Sequence, residues 1–383
     1  MRYWFFTEAA YPELPDPSTY ESVRVTLPNR LLDPERAACW WDDYLAEWQA
    51  ADELGLDIMV NEHHGTATCM NSAVPLTAAI LARTTSRARI LILGNPIANR
   101  RDPIRVAEEM AMIDIFSRGR LEVGLVRGVP YEVAVMNSNP VAMGERMWEA
   151  HDVIKLAWTS NDGPVSWCGK YFEHRNINIW PRTYQQPHPP IWVTTLSEFG
   201  ARPIGEHGYV VATFLTGIEN TQKVFSGYRD GWANRFDEAP PADRFAYAGL
   251  VHVGADDDEG LAGAEKLVWY ITSNKSVPQY IDPPGYRPSF ARAMLARGIN
   301  PTSLHGLTLE QLIERGVLFA GSAATVADQI TRFRELVGEF GNFLVMGQSG
   351  HMTRDETIAS MTRLAREVRP LLEERSRAPA HAG

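Results

Sequence analysis

Short apolar segments alternate with longer amphipathic segments along most of the chain. The apolar segments have the length of buried strands and predict strands at residues 3–7, 58–60, 90–93, 121–125, 191–195, 209–214, 245–253 and 343–346. Apolar positions at helical spacing predict helices between them, among others at residues 35–54, 139–159, 198–206, 219–235, 321–337 and 354–374. Strands that alternate with helices in this way are typical of α/β proteins.

A polar or glycine-containing helix end followed at once by an apolar strand recurs at five junctions. They lie at residues 53–60, 86–91, 117–123, 206–211 and 339–345. Such junctions are the signature of loops that lead from a helix into a parallel strand. With eight strands and no interior linker, they predict a (β/α)8 TIM barrel that forms a single domain over residues 1–383.

Two segments interrupt this repeat, and a third ends it. Residues 165–180 alternate loosely around Gly169 and predict a β-hairpin excursion before strand 5. Residues 276–308 are rich in proline and aromatic residues and predict an insertion between strands 7 and 8, with a short helix at 289–297. The tail at 375–383 is expected to fray, as chain ends commonly do.

Residues 10–34 form a long segment after strand 1, with five prolines and no clear periodicity. Loops of this length in a compact domain are usually functional or disordered. At the barrel mouth the segment could close over a ligand as a lid, and residues 276–308 could do the same. A disordered solvent loop is an equally good interpretation of residues 10–34.

Composition narrows the function classes. The net charge of −10 and the absence of a basic stripe argue against nucleic-acid binding. No apolar run approaches the roughly 20 residues of a membrane span, and we expect no membrane association. Three widely spaced cysteines without a CxxC pair fit a reducing compartment. We predict a cytoplasmic location, because the first residues reach Glu8 too early for a signal peptide.

Glu62-His63-His64 follows the second strand and has the composition of a metal site. Consecutive strand residues point to opposite faces, however, so the three side chains cannot converge on one ion. We therefore predict no metal. One histidine should face the barrel mouth, and a structural hydrogen-bonding role is expected for at least one of the pair.

Several other strand ends carry groups that could bind a ligand. Arg127 follows strand 4 and could pair with a phosphate or carboxylate, or form a structural ion pair. Ser197 precedes a helix and could help to cradle a phosphate, although a simple N-cap is the better interpretation of that position alone. Gly94-Asn95 permits unusual backbone beside a ligand or an ordinary turn. Their position at one face of the barrel favours a shared binding site.

These motifs together resemble the bacterial luciferase-like flavin monooxygenases. The resemblance covers almost the whole chain and is densest over residues 57–131, with support at residues 189–193 and 321–327. It implies an oxidoreductase, a flavoprotein that binds reduced FMN at the barrel mouth. By matched position, His63 is the catalytic histidine, and the cofactor-binding residues are Gly94, Asn95, Arg127, Ser197 and Gly200. Val126 and Leu196 stand where luciferase has a cysteine and an acidic residue.

The resemblance also implies the chemistry and the partners. Reduced FMN adds O2 to give a C4a-(hydro)peroxyflavin that oxygenates a small organic substrate, and a partner flavin reductase supplies the reduced FMN. A homodimer packed through the helices after strands 2 and 3 is expected. Trp4, Phe6, Tyr131 and His351 are the candidate substrate-side residues, although scattered aromatic residues more often only pack.

Three alternatives remain open from the sequence. The same barrel could be an F420-dependent oxidoreductase that transfers hydride without O2. It could also be a non-catalytic flavin-binding paralogue, although the intact His63 and Arg127 argue against that. A metal-dependent barrel hydrolase ranks third. The sequence does not identify the substrate.

Overall fold

The computed structural model describes residues 1–273, 277–287, 292 and 304–377. In chain order its strands are β1 (Arg2–Thr7), β2 (Asp57–Val60), β3 (Ile90–Pro96), β4 (Leu121–Val126), β5 (Val165–Cys168), β6 (Glu173–Ile177), β7 (Ile191–Thr194), β8 (Val210–Phe214), β9 (Phe245–Val253), β10 (Leu318–Gly321) and β11 (Asn342–Gln348). Parallel pairing joins β1, β2, β3, β4, β7, β8, β9 and β11 in that order, and β11 returns to β1. The predicted (β/α)8 barrel is confirmed.

The helices surround this ring. They are α1 (Pro34–Glu53), α2 (Val74–Thr84), α3 (Pro103–Ser117), α4 (Glu132–Val135), α5 (Met143–Thr159), α6 (Glu198–His207), α7 (Gly217–Ala233), α8 (Asp257–Leu267), α9 (Trp269–Ser273), α10 (Pro278–Ile281), α11 (Leu309–Glu314), α12 (Ala323–Val337), α13 (Arg354–Arg363), a π-helical turn (Leu364–Val368) and α14 (Arg369–Arg377). Short 3-10 turns lie at Pro17–Thr19, Asn29–Leu31 and Ala242–Arg244. None of the helices in these described ranges has the length and apolarity of a membrane span.

Local sequence explains where the helices begin. Asp33 and Asp102 each cap a helix whose first residue is a proline, and each carboxylate accepts the backbone N–H two residues later at 2.9 Å. Proline suits this position because the first helical N–H has no partner within the helix, and the aspartate satisfies a second N–H.

Alternate residues of the strands form two separate apolar cores. Tyr3, Phe5 and Ile58 point outward and pack against the helices. Trp4 and Phe6 point inward and fill the barrel with inward-facing residues of the other strands. This follows from the two-residue period of a strand. Both faces of the sheet are therefore buried, which is why the strand segments read as continuous apolar runs.

Buried polar groups close the amino-terminal end of the barrel. Glu122 points inward from β4 and accepts hydrogen bonds from Trp192 at 2.5 Å and Arg2 at 3.3 Å, as well as one from Arg89. Trp4 lies at this end, with its ring centroid 5.3 Å from that of Trp192. Because the amino-terminal end is filled in this way, the opposite end of the strands is the open mouth.

The strand β10 is not among the strands predicted from the sequence. A helix was predicted to start at Gly321, whereas Gly321 ends β10 at φ +137° and Ser322 caps the following helix α12. β9 is long enough to pair with β8 through its first half and with β10 through its second half, Leu318 lying opposite Leu250. A four-residue apolar run gives no periodicity of its own, so its pairing depends on the length of β9.

The predictions for the hairpin, the insertion and the carboxyl-terminal tail have different outcomes. The predicted hairpin is present, because β5 and β6 pair antiparallel. Within the predicted insertion the structure describes 277–287, 292 and 304–308, and the predicted helix at 289–297 falls almost wholly outside the described residues. The closing helix α14 continues to Arg377, which is further than the onset of fraying predicted at residue 375.

The segment between β1 and α1 lies against the loop that follows β2. The backbone N–H of Tyr11 donates to Ala67 at 2.8 Å, and that of Val25 donates to Gly65 at 2.5 Å. The Tyr44 hydroxyl of α1 donates to the carbonyl of Ala10 at 2.6 Å. Residues 10–12 and 22–23 of this segment are therefore packed beside the barrel mouth, whereas most of residues 13–21 and 26–34 are exposed to solvent.

Candidate active site

Most of the predicted site residues meet at the carboxyl ends of the strands. His63 follows β2, Gly94 and Asn95 end β3, and Arg127 and Tyr131 follow β4. Ser197 and Gly200 lie farther around the ring, where β7 leads into α6. The carboxyl ends of parallel barrel strands share one face, and this is the face where barrel enzymes carry their active sites.

His63 lies between two buried carboxylates. Its Nδ1 is 3.0 Å from Oε1 of Glu132, and its Nε2 is 3.8 Å from Oε2 of Glu8. Burial lowers the pKa of His63, but the charges of Glu8 and Glu132 and the hydrogen bond to Glu132 outweigh burial and raise it above its usual range. Burial raises the pKa of Glu132, and His63 outweighs that effect and lowers it. Both shifts favour an imidazolium paired with carboxylates.

The neighbouring histidine has a structural partner, as expected. His64 Nε2 lies 2.8 Å from Oε1 of Glu62, a carboxylate that also has Arg100 at 2.6 and 2.7 Å from its two oxygens. The second oxygen of Glu62 accepts the N–H of Val74 at the start of α2. In the described part of the chain, no group of three or more His, Cys, Asp or Glu side chains could hold a metal ion.

The end of β3 brings backbone close to β4. The Leu93–Gly94 peptide bond is cis, one bond before Gly94-Asn95. A Cβ at Gly94 would lie 2.5 Å from both methyl groups of Val126, so only glycine fits there. Within the described part of the chain, the buried Asn95 amide nitrogen has no hydrogen-bond partner, and neither polar atom of the Asn99 side chain has one. Buried polar groups in proteins normally have partners, so these atoms are candidates for hydrogen bonds to a ligand.

Arg127 is exposed and stacked on Tyr286, a residue of the insertion. The guanidinium carbon lies 4.1 Å from the centre of the Tyr286 ring, and the Tyr286 hydroxyl donates to the carbonyl of Gly128 at 2.6 Å. Stacking uses the face of the guanidinium, and one N–H group also hydrogen-bonds to the Tyr286 hydroxyl, which leaves the other in-plane N–H groups available. The insertion therefore supports the turn that carries Arg127.

Ser197 is the N-cap of α6. Its Oγ accepts the N–H of Gly200 at 3.1 Å, and a Cβ at Gly200 would lie 2.4 Å from Oγ1 of Thr195. The Ser197 hydroxyl keeps its own proton to donate, and both residues are accessible at the helix start. The N-cap interpretation is correct, and it leaves an anion site at this helix end open.

The candidate substrate-side residues do not come together as a group. Trp4 is buried at the closed end of the barrel and donates to Asn342 at 3.1 Å. Phe6 lies higher in the barrel, with its ring centroid 5.8 Å from that of Phe214. His351 is exposed beside Trp269, and partial burial lowers its pKa. Tyr131 is buried beside His63, with 6.2 Å between the ring centroids.

Sequence reasoning missed several side chains of the mouth, namely Glu8, Arg24, Asn99, Glu132, Tyr270 and Tyr286. Glu8 follows β1 directly, so the strand-end rule that found Arg127 could have found it. Arg24 and Tyr286 come from the two long irregular segments, where no periodicity indicates which side chains turn toward the mouth.

The chain is a closed parallel barrel with a histidine between two carboxylates, an accessible arginine and buried amides at one end, and barrel enzymes carry their active sites at this end. The chain belongs to the luciferase-like monooxygenase family, whose family model matches residues 25–340.

This chain is similar in sequence to two curated proteins, among others. The oxygenase component of the flavin-dependent trigonelline monooxygenase of Acinetobacter baylyi is 32% identical over 63% of this chain and 67% of that protein. An uncharacterised protein of Sinorhizobium fredii is 32% identical over 50% of this chain, and the match spans only 58% of that protein. Both relatives are thus matched over part of their length.

Solved structures share the fold over nearly the whole chain. The FMN complex of the oxygenating constituent of 3,6-diketocamphane monooxygenase from Pseudomonas putida has a TM-score of 0.72 at 18% identity, covering 96% of this chain and 97% of that one. An F420-dependent secondary alcohol dehydrogenase has a TM-score of 0.64 at 18% identity, covering 85% and 94%. At these identities the likeness concerns the fold alone.

Proposed function

We propose that this protein is a monooxygenase that uses reduced FMN and O2 to oxygenate a small organic substrate. The observation that carries the proposal is the set of buried polar atoms without partners on Asn95 and Asn99, beside the accessible Arg127. An elongated ligand with a polar ring and an anionic tail would satisfy both parts. The one reported relative that is named as a flavin-dependent monooxygenase component supports the same proposal.

The residues at the strand ends would hold the two ends of FMN, its phosphate and its flavin ring. Arg127 offers in-plane N–H groups to a phosphate, and Ser197 with the first N–H groups of α6 offers a second set of donors. Gly200 has no side chain, so the backbone at the start of α6 stays accessible to the phosphate. Gly94 and Asn95 would face the flavin ring, because Gly94 carries no side chain and the Asn95 amide nitrogen is unpaired.

Bound reduced FMN supplies the activation of O2, and the chain controls protons and water around it. With Nδ1–H donating to Glu132 at 3.0 Å, His63 carries a second proton at Nε2 in its imidazolium form, which its raised pKa favours. It is therefore placed to act as a general acid. The packed part of the segment between β1 and α1 excludes water from this side of the mouth.

We propose that a separate flavin reductase supplies the reduced FMN, since one relative is named as an oxygenase component. We also propose a homodimer. Large apolar side chains are exposed on α2 and α3, namely Leu76 (69%), Ile80 (47%), Met112 (43%), Ile115 (38%) and Phe116 (38%). A group of exposed apolar residues on neighbouring helices is typical of an interface.

The test compares reduced FMN, the cofactor of the proposed monooxygenase, with reduced F420, the cofactor of the alternative oxidoreductase. Purified protein is mixed anaerobically with reduced FMN or reduced F420, binding is measured by equilibrium ultrafiltration, and O2 uptake is then followed in air. Tight binding of reduced FMN with protein-dependent O2 uptake is expected. F420 binding without O2 uptake would support hydride transfer. FMN binding that leaves the reaction of reduced FMN with O2 unchanged would indicate a non-catalytic paralogue.

Arg127→Ala is the informative variant, because it removes the proposed phosphate partner. Its affinity for reduced FMN should fall about 10- to 100-fold, the usual range for a lost charge-assisted hydrogen bond. The matched control is Arg182→Ala, which removes another exposed arginine, in the segment between β6 and β7. Equal FMN affinity in the two variants would contradict the assignment of Arg127.

A further inference from the structure

Arg24 is held at the mouth by its backbone. Its N–H donates to Oγ of Ser22 at 2.9 Å, and Oγ of Ser22 donates to its carbonyl at 3.1 Å. Arg24 also forms a β-bridge with Thr66. The next residue, Val25, has φ +67°, a conformation that a β-branched residue rarely adopts. Arg24 is therefore followed by a residue with an unfavourable backbone conformation, at the place where its side chain reaches the mouth.

The guanidinium of Arg24 stacks on Tyr131. Its central carbon lies 4.3 Å from the centre of the Tyr131 ring. The Nε atom is buried and has no hydrogen-bond partner. The ion pairs of Glu8 and Glu132 among the described residues are with His63, and the charge of Arg24 acts on His63 by lowering its pKa. Because stacking occupies only the face of the guanidinium, the in-plane N–H groups remain open.

Tyr131 supplies a second open group at the same place. Its side chain is 1% exposed, and its hydroxyl has no hydrogen-bond partner. Burial raises the pKa of Tyr131 well above its usual range, so the hydroxyl keeps its proton and remains a donor.

The acceptors nearby are already engaged. Glu8 accepts the amide of Asn61 at 2.8 Å and a hydrogen bond from Tyr270. Glu132 accepts from His63, from the N–H of His64 at 3.3 Å and from the N–H of Val129 at 3.2 Å. The groups without partners beside His63 are therefore donors, and a carboxylate or phosphate oxygen complements a guanidinium and a phenol. Because the FMN phosphate is assigned to Arg127 and Ser197, a carboxylate is the group that remains for this place.

We propose that Arg24 and Tyr131 bind a carboxylate group of the substrate, which is a small aromatic acid. The aromatic part of the assignment rests on the edge-to-face contacts that link Phe6, Phe214 and Tyr270 inside the mouth, with centroid distances of 5.8 and 6.2 Å. The inference deepens the proposed function, because it gives the substrate class of the same site.

The experiment titrates flavin-free protein with benzoate and with benzamide, using calorimetry. The two probes have the same ring and differ in charge, so their affinity ratio reports recognition of the anion. Benzoate should bind at least tenfold more tightly than benzamide to the wild-type protein.

Two variants and a control locate the site. Arg24→Gln should weaken benzoate binding about 10- to 100-fold and leave benzamide binding unchanged. Tyr131→Phe should weaken benzoate binding about 3- to 10-fold without lowering the melting temperature, because the hydroxyl has no partner in the protein. Arg30→Gln, on the same segment but exposed, should change neither affinity.

The outcomes separate this inference from the proposed function. Equal affinity for the two probes, no benzoate binding at millimolar concentration, or unchanged benzoate binding in Arg24→Gln would overturn the carboxylate site. Reduced-FMN binding is measured in the same variants. Arg24-dependent benzoate binding in a protein that binds no reduced FMN would retain the acid site and remove the monooxygenase.

Discussion

At the scale of single residues, the mouth is organised around the proton on His63. The imidazole alone would lose charge on burial, and the two carboxylates reverse that tendency. Glu132 makes the closer contact, at 3.0 Å against 3.8 Å for Glu8. Glu132 is therefore a positioning residue that sets the orientation of His63, and it shares with Glu8 the effect that raises the pKa of His63.

Glu132→Gln should lower the pKa of His63, because the amide keeps a hydrogen bond but removes a negative charge. The raised pKa stabilises the fold below the usual pKa of histidine, and this contribution is lost as pH rises through the folded-state pKa. The variant should therefore lose stability mainly at low pH. Histidine titration by NMR measures the pKa, and Glu173→Gln, an exposed carboxylate, is the control.

Gly94→Ala should destabilise the protein by about 1–3 kcal/mol, because its Cβ would overlap the methyl groups of Val126 at 2.5 Å. Val126→Ala in the same chain should recover part of this loss. Gly144→Ala is the matched control, since a Cβ there meets nothing within 4 Å. It should be neutral or stabilising by up to about 1 kcal/mol, as expected for glycine within a helix. Chemical unfolding measures all four proteins.

At the scale of elements, the two irregular segments supply side chains at the mouth that the regular strands and helices of the barrel do not supply. The segment between β1 and α1 brings Arg24 to the mouth, and the insertion after α9 brings Tyr286 under Arg127. Loops carried by a rigid barrel are the usual source of specificity, because they can vary without disturbing the strands.

Tyr286→Phe should weaken reduced-FMN binding about threefold to tenfold. The ring still stacks on Arg127, but the hydrogen bond to the Gly128 carbonyl is lost, so the turn that presents Arg127 is less well held. Equilibrium ultrafiltration measures the affinity. Tyr184→Phe, at an exposed tyrosine (57%), should bind like the wild type. An unchanged affinity in Tyr286→Phe would exclude this supporting role.

At the scale of the whole molecule, one buried acid links α1 to the last strand of the barrel. Glu47 is fully buried, and one of its oxygens accepts from Gln348 at 2.9 Å while the other has no partner. Burial raises the pKa of Glu47 to about 8, against partly compensating hydrogen bonds from Gln348 and Thr357.

Glu47→Gln should remove a pH dependence of stability. Between the usual carboxyl pKa and about 8 the folded protein keeps a proton that the unfolded chain releases. The free energy of unfolding therefore falls with rising pH, by about 1.4 kcal/mol per unit from this group. The glutamine variant should lack this slope and be relatively more stable at pH 8. Thermal unfolding across pH measures it, with exposed Glu335→Gln as control.

Leu76→Glu should dissociate the proposed dimer, because it places a charge in the exposed apolar patch of α2 and α3. Light scattering after gel filtration measures the mass. Leu261→Glu, at a less exposed leucine (36%) on α8, should leave the mass unchanged. A wild-type protein that is monomeric at micromolar concentration would contradict the dimer directly.

The sequence by itself determined the order of the eight ring strands, the hairpin and the strand ends that carry His63, Asn95 and Arg127. These features depend on local periodicity and on the rule that parallel strands end at one face. β10 escaped prediction because its pairing depends on the length of β9. The tertiary structure alone decided that Glu8 and Glu132 flank His63 and that Arg24 stacks on Tyr131. Those contacts join segments far apart in the chain, and only the closed barrel brings them together.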